Sequence, residues 1–175
     1  IYRMQVAPPL RRPLADGRPL SAVVTWIDPR SFDARGQLRD SYFGDLHRYL
    51  ADAGDSPVLV PMVLRTIPYR EALKKLRRLD RPVLVPHAAL SPADIMGLTL
   101  GSLRPPALPR PIPKFRGHDI SGLVLADSQT YWVRANAAAA AQLLGRAVVR
   151  WREAGINFAR AIYPFENHAW ERGLT

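Results

Sequence analysis

Hydrophobic and polar positions alternate along this chain in a pattern that predicts a mixed α/β fold. Short apolar runs rich in β-branched residues predict buried strands near 21–27, 58–64, 82–86 and 158–163. Pro61 lies inside the second run, which therefore suits only the edge of a sheet or a bulge. Between the strands, apolar residues recur at helical spacing, and Pro or Gly marks most boundaries. Strands that alternate with helices favour a parallel sheet with helices on both faces.

Helix start and stop signals mark four of the intervening segments. These segments are Asp40–Ala53, Pro68 to about Leu79, a helix that opens at Ser91, and a long helix from near Ser128 to about Ala154. Asp40 is the expected N-cap of the first helix, and Gly54 and Gly155 are expected to end the first and the last. The first helix has an apolar stripe that comprises Phe43, Leu46, Tyr49 and Leu50.

Length and composition suit one domain with a sizeable core and an irregular extension. The chain has 175 residues, 47% of them hydrophobic, and its 17 prolines are too many for a helical bundle. It has no cysteine, which excludes disulfides and thiolate metal sites. We expect an irregular segment at 1–20, an α/β domain at 21–163 with a proline-rich linker at about 104–114, and the start of an inter-domain motif and helix at 164–175. We also expect the chain to be a fragment cut at both ends, because it opens on Ile1 and stops just after a predicted helix start.

Basic residues outnumber acidic ones, 25 to 15, and the net charge of +10 favours anionic partners. Six of the cations crowd into residues 70–81, on a predicted helix. They form either a solvated helix face or a contact surface for an anionic membrane. Nucleic acid is a disfavoured partner because the chain has no recognisable nucleic-acid-binding motif. No run approaches the roughly 18 apolar residues of a membrane span, and no signal-peptide pattern opens the chain.

Polar side chains with catalytic potential crowd together after the last predicted strand. The segment that follows Pro164, where the strand ends, holds Glu166, Asn167, His168, Trp170 and Glu171. Ligands of open α/β sheets bind at the carboxyl ends of the strands, so we expect this cluster at the ligand-binding edge. Asp28 follows the first strand and is expected at the same edge, although an Asp there equally suits a turn. Glu166 and Asn167 could likewise serve only to cap a helix.

The segment Tyr163–Glu171, YPFENHAWE, resembles a YPFENxxWE signature of surface carbohydrate biosynthesis proteins of the O-antigen type, which look like GT-B glycosyltransferases. The earlier segments Trp26–Asp28 and Asp40–Leu46 are similar to the first strand and helix of that family. The resemblance covers roughly residues 21–175, and only the final motif is specific; His168-Ala169 occupies its variable pair. It implies a Rossmann-like α/β domain that is one half of a GT-B-like architecture, with a second domain expected after the motif.

The resemblance implies that the chain is the amino-terminal, acceptor-side domain of a glycosyltransferase in surface polysaccharide biosynthesis. It would transfer a sugar from an activated donor to a lipid-linked or saccharide acceptor, with Glu166 and then Asp28 as catalytic carboxylates. The expected substrate contacts are Asn167, His168, Trp170, Glu171 and Asp40. No metal or cofactor is expected in this fragment, which alone should be inactive, and the full enzyme should take a nucleotide-sugar donor. We expect a cytoplasmic location, with peripheral attachment to the inner membrane through residues 70–81.

Two other classes of function stay open at this point. A basic α/β module that binds nucleic acid or phosphate groups without catalysis would explain the charge, and a structural domain without chemistry would explain the fold. The chain has neither GxGxxG after the first strand nor GxxxxGK[ST] anywhere, so a self-contained dinucleotide or P-loop site is not expected. Loss of transfer on removal of Glu166 would support the enzyme, whereas binding that falls steeply with salt would support the nucleic-acid module.

Overall fold

The computed structural model of the protein describes residues 17–102, 113–135 and 137–164. The strands are β1 (Leu20–Ile27), β2 (Pro57–Val63), β3 (Lys114–Phe115), β4 (His118–Asp119) and β5 (Phe158–Ile162). The helices are α1 (Leu46–Asp52), α2 (Tyr69–Leu76), α3 (Pro86–Ala89), α4 (Pro92–Ser102), α5 (Ser121–Ala135) and α6 (Ala137–Glu153), with a 3₁₀ helix at Pro29–Ser31. A parallel sheet in the order β2–β1–β5, accompanied by helices, confirms the predicted Rossmann-like α/β fold.

β1 is the central strand of this sheet, and its residues are buried apart from Trp26, which is half-buried. It runs parallel to β2, where Val24 lies opposite Val60, and parallel to β5, where Val23 lies opposite Ile162. A continuous run of apolar, mostly β-branched residues is what a strand covered on both faces requires. Because all three strands are parallel, their carboxyl ends lie at the same edge of the sheet.

The predicted strand at 82–86 is wrong, because this segment makes only one isolated parallel bridge, between Leu59 and Val83. Leu59 N donates to Pro82 O at 3.0 Å, and Leu84 N donates to Leu59 O at 2.8 Å. These two bonds are the complete set for a single residue pair of a parallel ladder. The segment therefore touches the outer side of β2 without extending the sheet.

Prolines at both ends of two identical PVLVP segments explain why that ladder stops. If the ladder continued in the same register, the next residue pair toward the carboxyl end would require N–H groups on Pro61 and Pro86. The next residue pair toward the amino end would require N–H groups on Pro57 and Pro82. Proline has no N–H group, so both extensions are blocked. The backbone N atoms of residues two apart in a strand point to the same side. Leu59 N points away from β1, toward Pro82, so the nitrogen of Pro61 also points away from β1. The prediction that Pro61 confines its strand to an edge is confirmed, since β2 is the edge strand of the three-stranded sheet.

The first helix is shorter than predicted, because residues 41–45 form turns and α1 begins only at Leu46. Gly44 adopts a φ of +54°, a left-handed conformation that cannot continue a right-handed α-helix. Asp40 therefore caps the turns and not the helix itself. The predicted apolar stripe is only partly inward, since Tyr49 is 69% exposed.

The long helix near the end of the chain is present as α5 and α6, but it begins earlier than predicted, at Ser121. Asp119 Oδ1 accepts a hydrogen bond from Ser121 N at 2.7 Å, which satisfies one of the free amides at the start of α5. Gly54 and Gly155 have φ values of +85° and +83° just after α1 and α6. Their predicted role in ending these helices is confirmed.

Contacts divide the described chain into two compact units. One holds the parallel sheet and comprises the residues through Leu90 together with those from Ala147 onward, and the other is Ser91–Arg146. The core of the first unit joins β1 and β2 to the segment around α2, and its buried members are Ile27, Phe32, Leu59, Ile67, Ala72, Leu76, Leu79 and Val83. These side chains supply the apolar contacts that hold the helix side of the sheet in place.

In the second unit, Asp94 stabilises the start of α4. Ser91 Oγ accepts from Asp94 N at 3.1 Å while Asp94 Oδ2 accepts from Ser91 N at 2.9 Å, a reciprocal capping box. The predicted helix start at Ser91 is therefore confirmed. The Asp94 carboxylate is 1% exposed, and its Oδ1 accepts a bond from Arg146 Nε at 2.7 Å. No helix in the described ranges is long and apolar enough to cross a membrane.

Candidate functional site

An open cleft lies in the connection that follows β1, at the carboxyl end of that strand. Its volume is about 870 Å³, and its lining mixes carboxylates, guanidinium groups and small residues: Arg30, Asp33, Leu38, Arg39, Asp40, Ser41, Gly44 and Asp45. Open α/β sheets bind their ligands at this edge. Among the residues that the structure describes, this cleft is therefore our candidate site.

Asp28, one of the two predicted catalytic carboxylates, follows β1 and caps the 3₁₀ helix. Its Oδ1 accepts from Arg30 N and Ser31 N at 2.8 and 3.0 Å, and its Oδ2 accepts from Arg30 Nη2 at 2.8 Å. Hydrogen bonding from the Arg30 side chain is the main reason that the pKa of Asp28 lies below its usual range. An ionised carboxylate with this many partners is a weak general base, and its contacts are those of the turn-forming alternative.

Asp40, a predicted substrate-binding residue, lines the cleft and is hydrogen-bonded to strand β1 of the sheet. Thr25, fully buried in β1, donates its hydroxyl to Asp40 Oδ1 at 3.1 Å. Tyr42 N and Phe43 N donate to the same oxygen at 2.9 and 3.0 Å. Because all three bonds reach Oδ1, Oδ2 takes none of them and is available to a ligand.

Two further carboxylates of the cleft are also held by local bonds. Asp33 Oδ1 accepts from Arg35 N and Gln37 N at 2.8 and 2.9 Å, which closes a tight loop. Asp45 Oδ2 lies 3.2 Å from Arg48 Nη2 in an exposed ion pair, a kind of contact that adds little stability. Asp33 and Asp40 are therefore fixed before any ligand arrives, whereas the ion pair of Asp45 restrains its carboxylate only weakly.

The two arginines of the cleft differ in how they are engaged. The Arg30 guanidinium is bound to Asp28. Arg39 is anchored through its backbone, where Arg39 N donates to Ser31 O at 2.8 Å. Within the described residues, the Arg39 side chain makes no hydrogen bond or ion pair. In the described part of the chain, its guanidinium is therefore the cation of the cleft that is open to a ligand.

The segment that leaves β5 does so at the same edge of the sheet as Asp28, because β1 and β5 are parallel. The shared placement of Asp28 and Glu166 that we predicted requires this arrangement of strands. The predicted site residues after β5 lie outside the described residues: Glu166, Asn167, His168, Trp170 and Glu171. Of the predicted site residues, the structure therefore places Asp28 and Asp40 at the carboxyl end of β1.

Sequence reasoning missed most of the cleft, because it assigned no role to the polar residues at 33–39. A usable signal was present, since seven charged residues lie between the first strand and α1: Asp28, Arg30, Asp33, Arg35, Arg39, Asp40 and Asp45. Charged loops held by a rigid sheet are a common place for binding residues. What the sequence could not supply is which of these side chains have partners.

The basic segment at 70–81 is only partly a free cationic face. Lys75 Nζ lies 2.9 Å from Glu71 Oε1 and 5.2 Å from the centre of the Phe32 ring. Arg70, Lys74, Arg77 and Arg78 are exposed. Both interpretations of this segment, a solvated face and a membrane contact, agree with these positions.

No family model, curated protein or solved structure matches this chain. Across residues 17–102, 113–135 and 137–164, no group of three or more His, Cys, Asp or Glu side chains could hold a metal ion. The geometry of the cleft and the motif after β5 therefore carry the functional argument.

Proposed function

We propose that this chain is the amino-terminal, acceptor-side domain of a glycosyltransferase in surface polysaccharide biosynthesis. The observation that carries the proposal is the cleft after β1 at the carboxyl edge of a Rossmann-like sheet, where fixed carboxylates lie beside the Arg39 guanidinium, which has no partner among the described residues. The YPFENHAWE segment after β5 supports the same function through its likeness to the O-antigen-type signature.

The chemistry of the cleft suits a ligand rich in hydroxyl groups. A sugar hydroxyl both donates and accepts hydrogen bonds, so it needs acceptors and donors close together. Asp40 Oδ2 offers an acceptor, and Arg39 offers several N–H donors in a rigid plane. Because three bonds already hold Asp40, little further ordering is required when a ligand binds.

Glu166 is the proposed catalytic base. It would take the proton of the acceptor hydroxyl while that oxygen attacks the anomeric carbon of the donor, and the donor's leaving group would depart with the bonding electron pair. Asp28 suits a supporting electrostatic role better, because Arg30 keeps it ionised and partnered. The further contacts to substrate are proposed for Asn167, His168, Trp170 and Glu171.

The remaining parts of the proposal concern partners and location. A nucleotide-sugar donor would bind outside the described residues, and the acceptor would be a saccharide or a lipid-linked sugar. Peripheral attachment at the cytoplasmic face of the inner membrane, through the basic segment at 70–81, belongs to the same proposal. In the full-length enzyme, Glu166→Gln should lower transfer roughly 10²-fold without loss of thermal stability. A loss of stability with unchanged transfer would instead assign Glu166 to helix capping.

Ligand-observed NMR tests the cleft directly. Saturation-transfer difference spectra of this chain with a panel of mono- and disaccharides should show contact with at least one sugar. Arg39→Ala should abolish that signal, since truncation removes the open guanidinium but keeps the backbone bond to Ser31 O. Arg35→Ala is the matched control, because Arg35 is exposed in the same connection but does not line the cleft.

Two outcomes would count against the saccharide cleft. Signals that persist unchanged in Arg39→Ala and Asp40→Asn would place the sugar elsewhere on the chain. No sugar signal, together with binding to single- or double-stranded oligonucleotides that weakens steeply with salt, would favour the nucleic-acid module.

A further inference from the structure

The small hairpin of the second unit presents an exposed aromatic ring between two cations. β3 and β4 pair Phe115 with His118, and the chain turns at Arg116 and Gly117, whose φ values are +49° and +87°. Two successive positive φ values are typical of a type I′ turn, which holds both strands in a defined geometry. Phe115 is 62% exposed at this turn.

The charges around that ring are positive and open. The Arg116 guanidinium carbon lies 5.5 Å from the centre of the Phe115 ring, so the cation covers the aromatic face. Lys114 makes no ion pair within the described residues, although it lies opposite Asp119 in the ladder. Asp119 Oδ1 is bound to Ser121 N at the start of α5. Phe115 is therefore flanked by two cations, neither of which forms an ion pair with a described carboxylate.

Exposed apolar side chains concentrate in this unit. Of the eight large hydrophobic residues exposed in the described chain, five belong to it: Ile95, Met96, Leu100, Phe115 and Leu123. Three of them share one side of α4, away from the buried Asp94. The unit has fewer described residues than its neighbour, so this concentration does not follow from size.

We propose that this unit docks on an anionic lipid bilayer through the hairpin tip, defined as Lys114, Phe115, Arg116 and Gly117. The Phe115 ring enters the boundary between headgroups and acyl chains, where aromatic side chains are favoured. Lys114 and Arg116 bind the phosphates of anionic headgroups, and Arg116 moves from the ring face to a phosphate. The proposal goes beyond sugar transfer and holds whether or not the chain carries a transferase site.

The size and composition of the tip favour a bilayer over a protein partner. A stable protein interface buries about 800 Å² on each partner, whereas a single aromatic residue contributes only roughly 150–250 Å². A bilayer requires no such area, because the binding free energies of one inserted ring and of a few cations add when they contact the same membrane surface.

A fluorescent label at the tip tests insertion. The chain contains no cysteine, so Phe115→Cys provides a unique site for an environment-sensitive dye. The emission should shift to the blue when vesicles of phosphatidylcholine and phosphatidylglycerol are added, and not with phosphatidylcholine alone. Tyr49→Cys is the matched control, since Tyr49 is an aromatic residue of similar exposure, 69%, in the other unit. A shift of equal size at both positions, or none at position 115, would overturn the proposal.

Charge reversal then tests the headgroup contacts. Lys114→Glu with Arg116→Glu should weaken co-sedimentation with the anionic vesicles at low salt by about tenfold or more. Arg65→Glu with Arg152→Glu makes the same charge change on exposed residues of the first unit, outside the basic segment at 70–81, and should have a much smaller effect. If the second variant loses binding and the first keeps it, the hairpin tip does not make the contact and the proposal fails. Far-UV circular dichroism of each variant checks that the fold is kept.

Discussion

Asp40 illustrates how one carboxylate can organise both the sheet and the cleft. Its Oδ1 receives the hydroxyl of the buried Thr25 and the backbone amides of Tyr42 and Phe43. Asp40→Ala leaves these three donors without their acceptor, and one of them is buried. We expect the free energy of unfolding to fall by about 1–3 kcal/mol, measured by urea denaturation.

Two comparisons isolate this effect of Asp40. Asp40→Asn keeps an acceptor oxygen at the same place and should cost clearly less than Asp40→Ala. Asp52→Ala removes an exposed carboxylate at the end of α1, where no described bond depends on it, and should change stability little. Equal losses for Asp40→Ala and Asp52→Ala would show that the three bonds do not stabilise the fold.

We expect His47 in α1 to lower the stability of the protein in mild acid. Its Nε2 atom is buried and has no hydrogen-bond partner in the described part of the chain. Desolvation, and then repulsion from Arg81, lowers the pKa of His47 from 6.5 to about 4. As the pH falls, the unfolded chain takes up the proton first. The stability that neutral, buried His47 contributes is therefore fully present above pH 6.5 and is lost progressively as the pH falls toward 4.

Replacing His47 by Gln should remove this component of the acid response. Urea midpoints of the native chain should fall relative to those of His47→Gln between pH 6.5 and about 4. The difference between the two proteins is informative because the other titrating groups are common to both. If the urea midpoints of the two proteins changed with pH in the same way, protonation of His47 would not destabilise the folded state.

At the scale of the element, glycines with left-handed φ decide where helices end. Gly155 has a φ of +83°, and Ile156 N donates to Trp151 O at 2.9 Å across it, as in a Schellman motif. Gly155→Ala should lower the free energy of unfolding by roughly 1 kcal/mol, because a Cβ disfavours this conformation. Gly97→Ala should raise it by about 0.5–1 kcal/mol, since Gly97 is helical and exposed with nothing close to its missing Cβ. Thermal and urea unfolding would contradict the argument if both substitutions acted in the same direction.

The two PVLVP segments show how identical sequences can have different roles as elements. Residues 57–61 lie in β2, beside β1, whereas residues 82–86 make one bridge and then turn into α3. The prolines set the limit of pairing between the two segments in advance, because their missing N–H groups block both neighbouring rungs. Which segment lies beside β1 is decided by long-range packing and not by local propensity.

At the scale of the whole molecule, the order of strands predicts which part of the chain is most resistant to local unfolding. β1 is buried and hydrogen-bonded on both sides, whereas the β3–β4 hairpin is exposed and only two residues long on each strand. Native-state hydrogen exchange should therefore be slowest at the amides of Val23 and Val24 and fast at those of Phe115 and His118. Comparable rates in the two regions would indicate that the sheet is not the most stable part of the chain.

Local sequence information predicts most helices and strands of the fold, but it predicts only some of the residues of the candidate site. Three strands, the helix start at Ser91 and the helix ends at Gly54 and Gly155 follow from apolar runs and from residues with special backbone chemistry. The sequence predicts Asp28 as a site residue from its place after the first strand, and the resemblance implies Asp40. Arg39 was not predicted, because an exposed arginine in a polar loop carries no sign of whether it has a partner.

By itself, the sequence determined the α/β class, the presence of a buried strand at 21–27 and the points at which proline and glycine interrupt regular structure. These properties depend on hydrophobic period and on backbone freedom, which act over a few residues. Tertiary structure alone decided that Asp40 accepts a hydrogen bond from Thr25 in β1 and that, within the described residues, the Arg39 side chain has no partner. Those outcomes depend on distances between side chains that only folding brings together, and hydrogen bonds change sharply within about 1 Å.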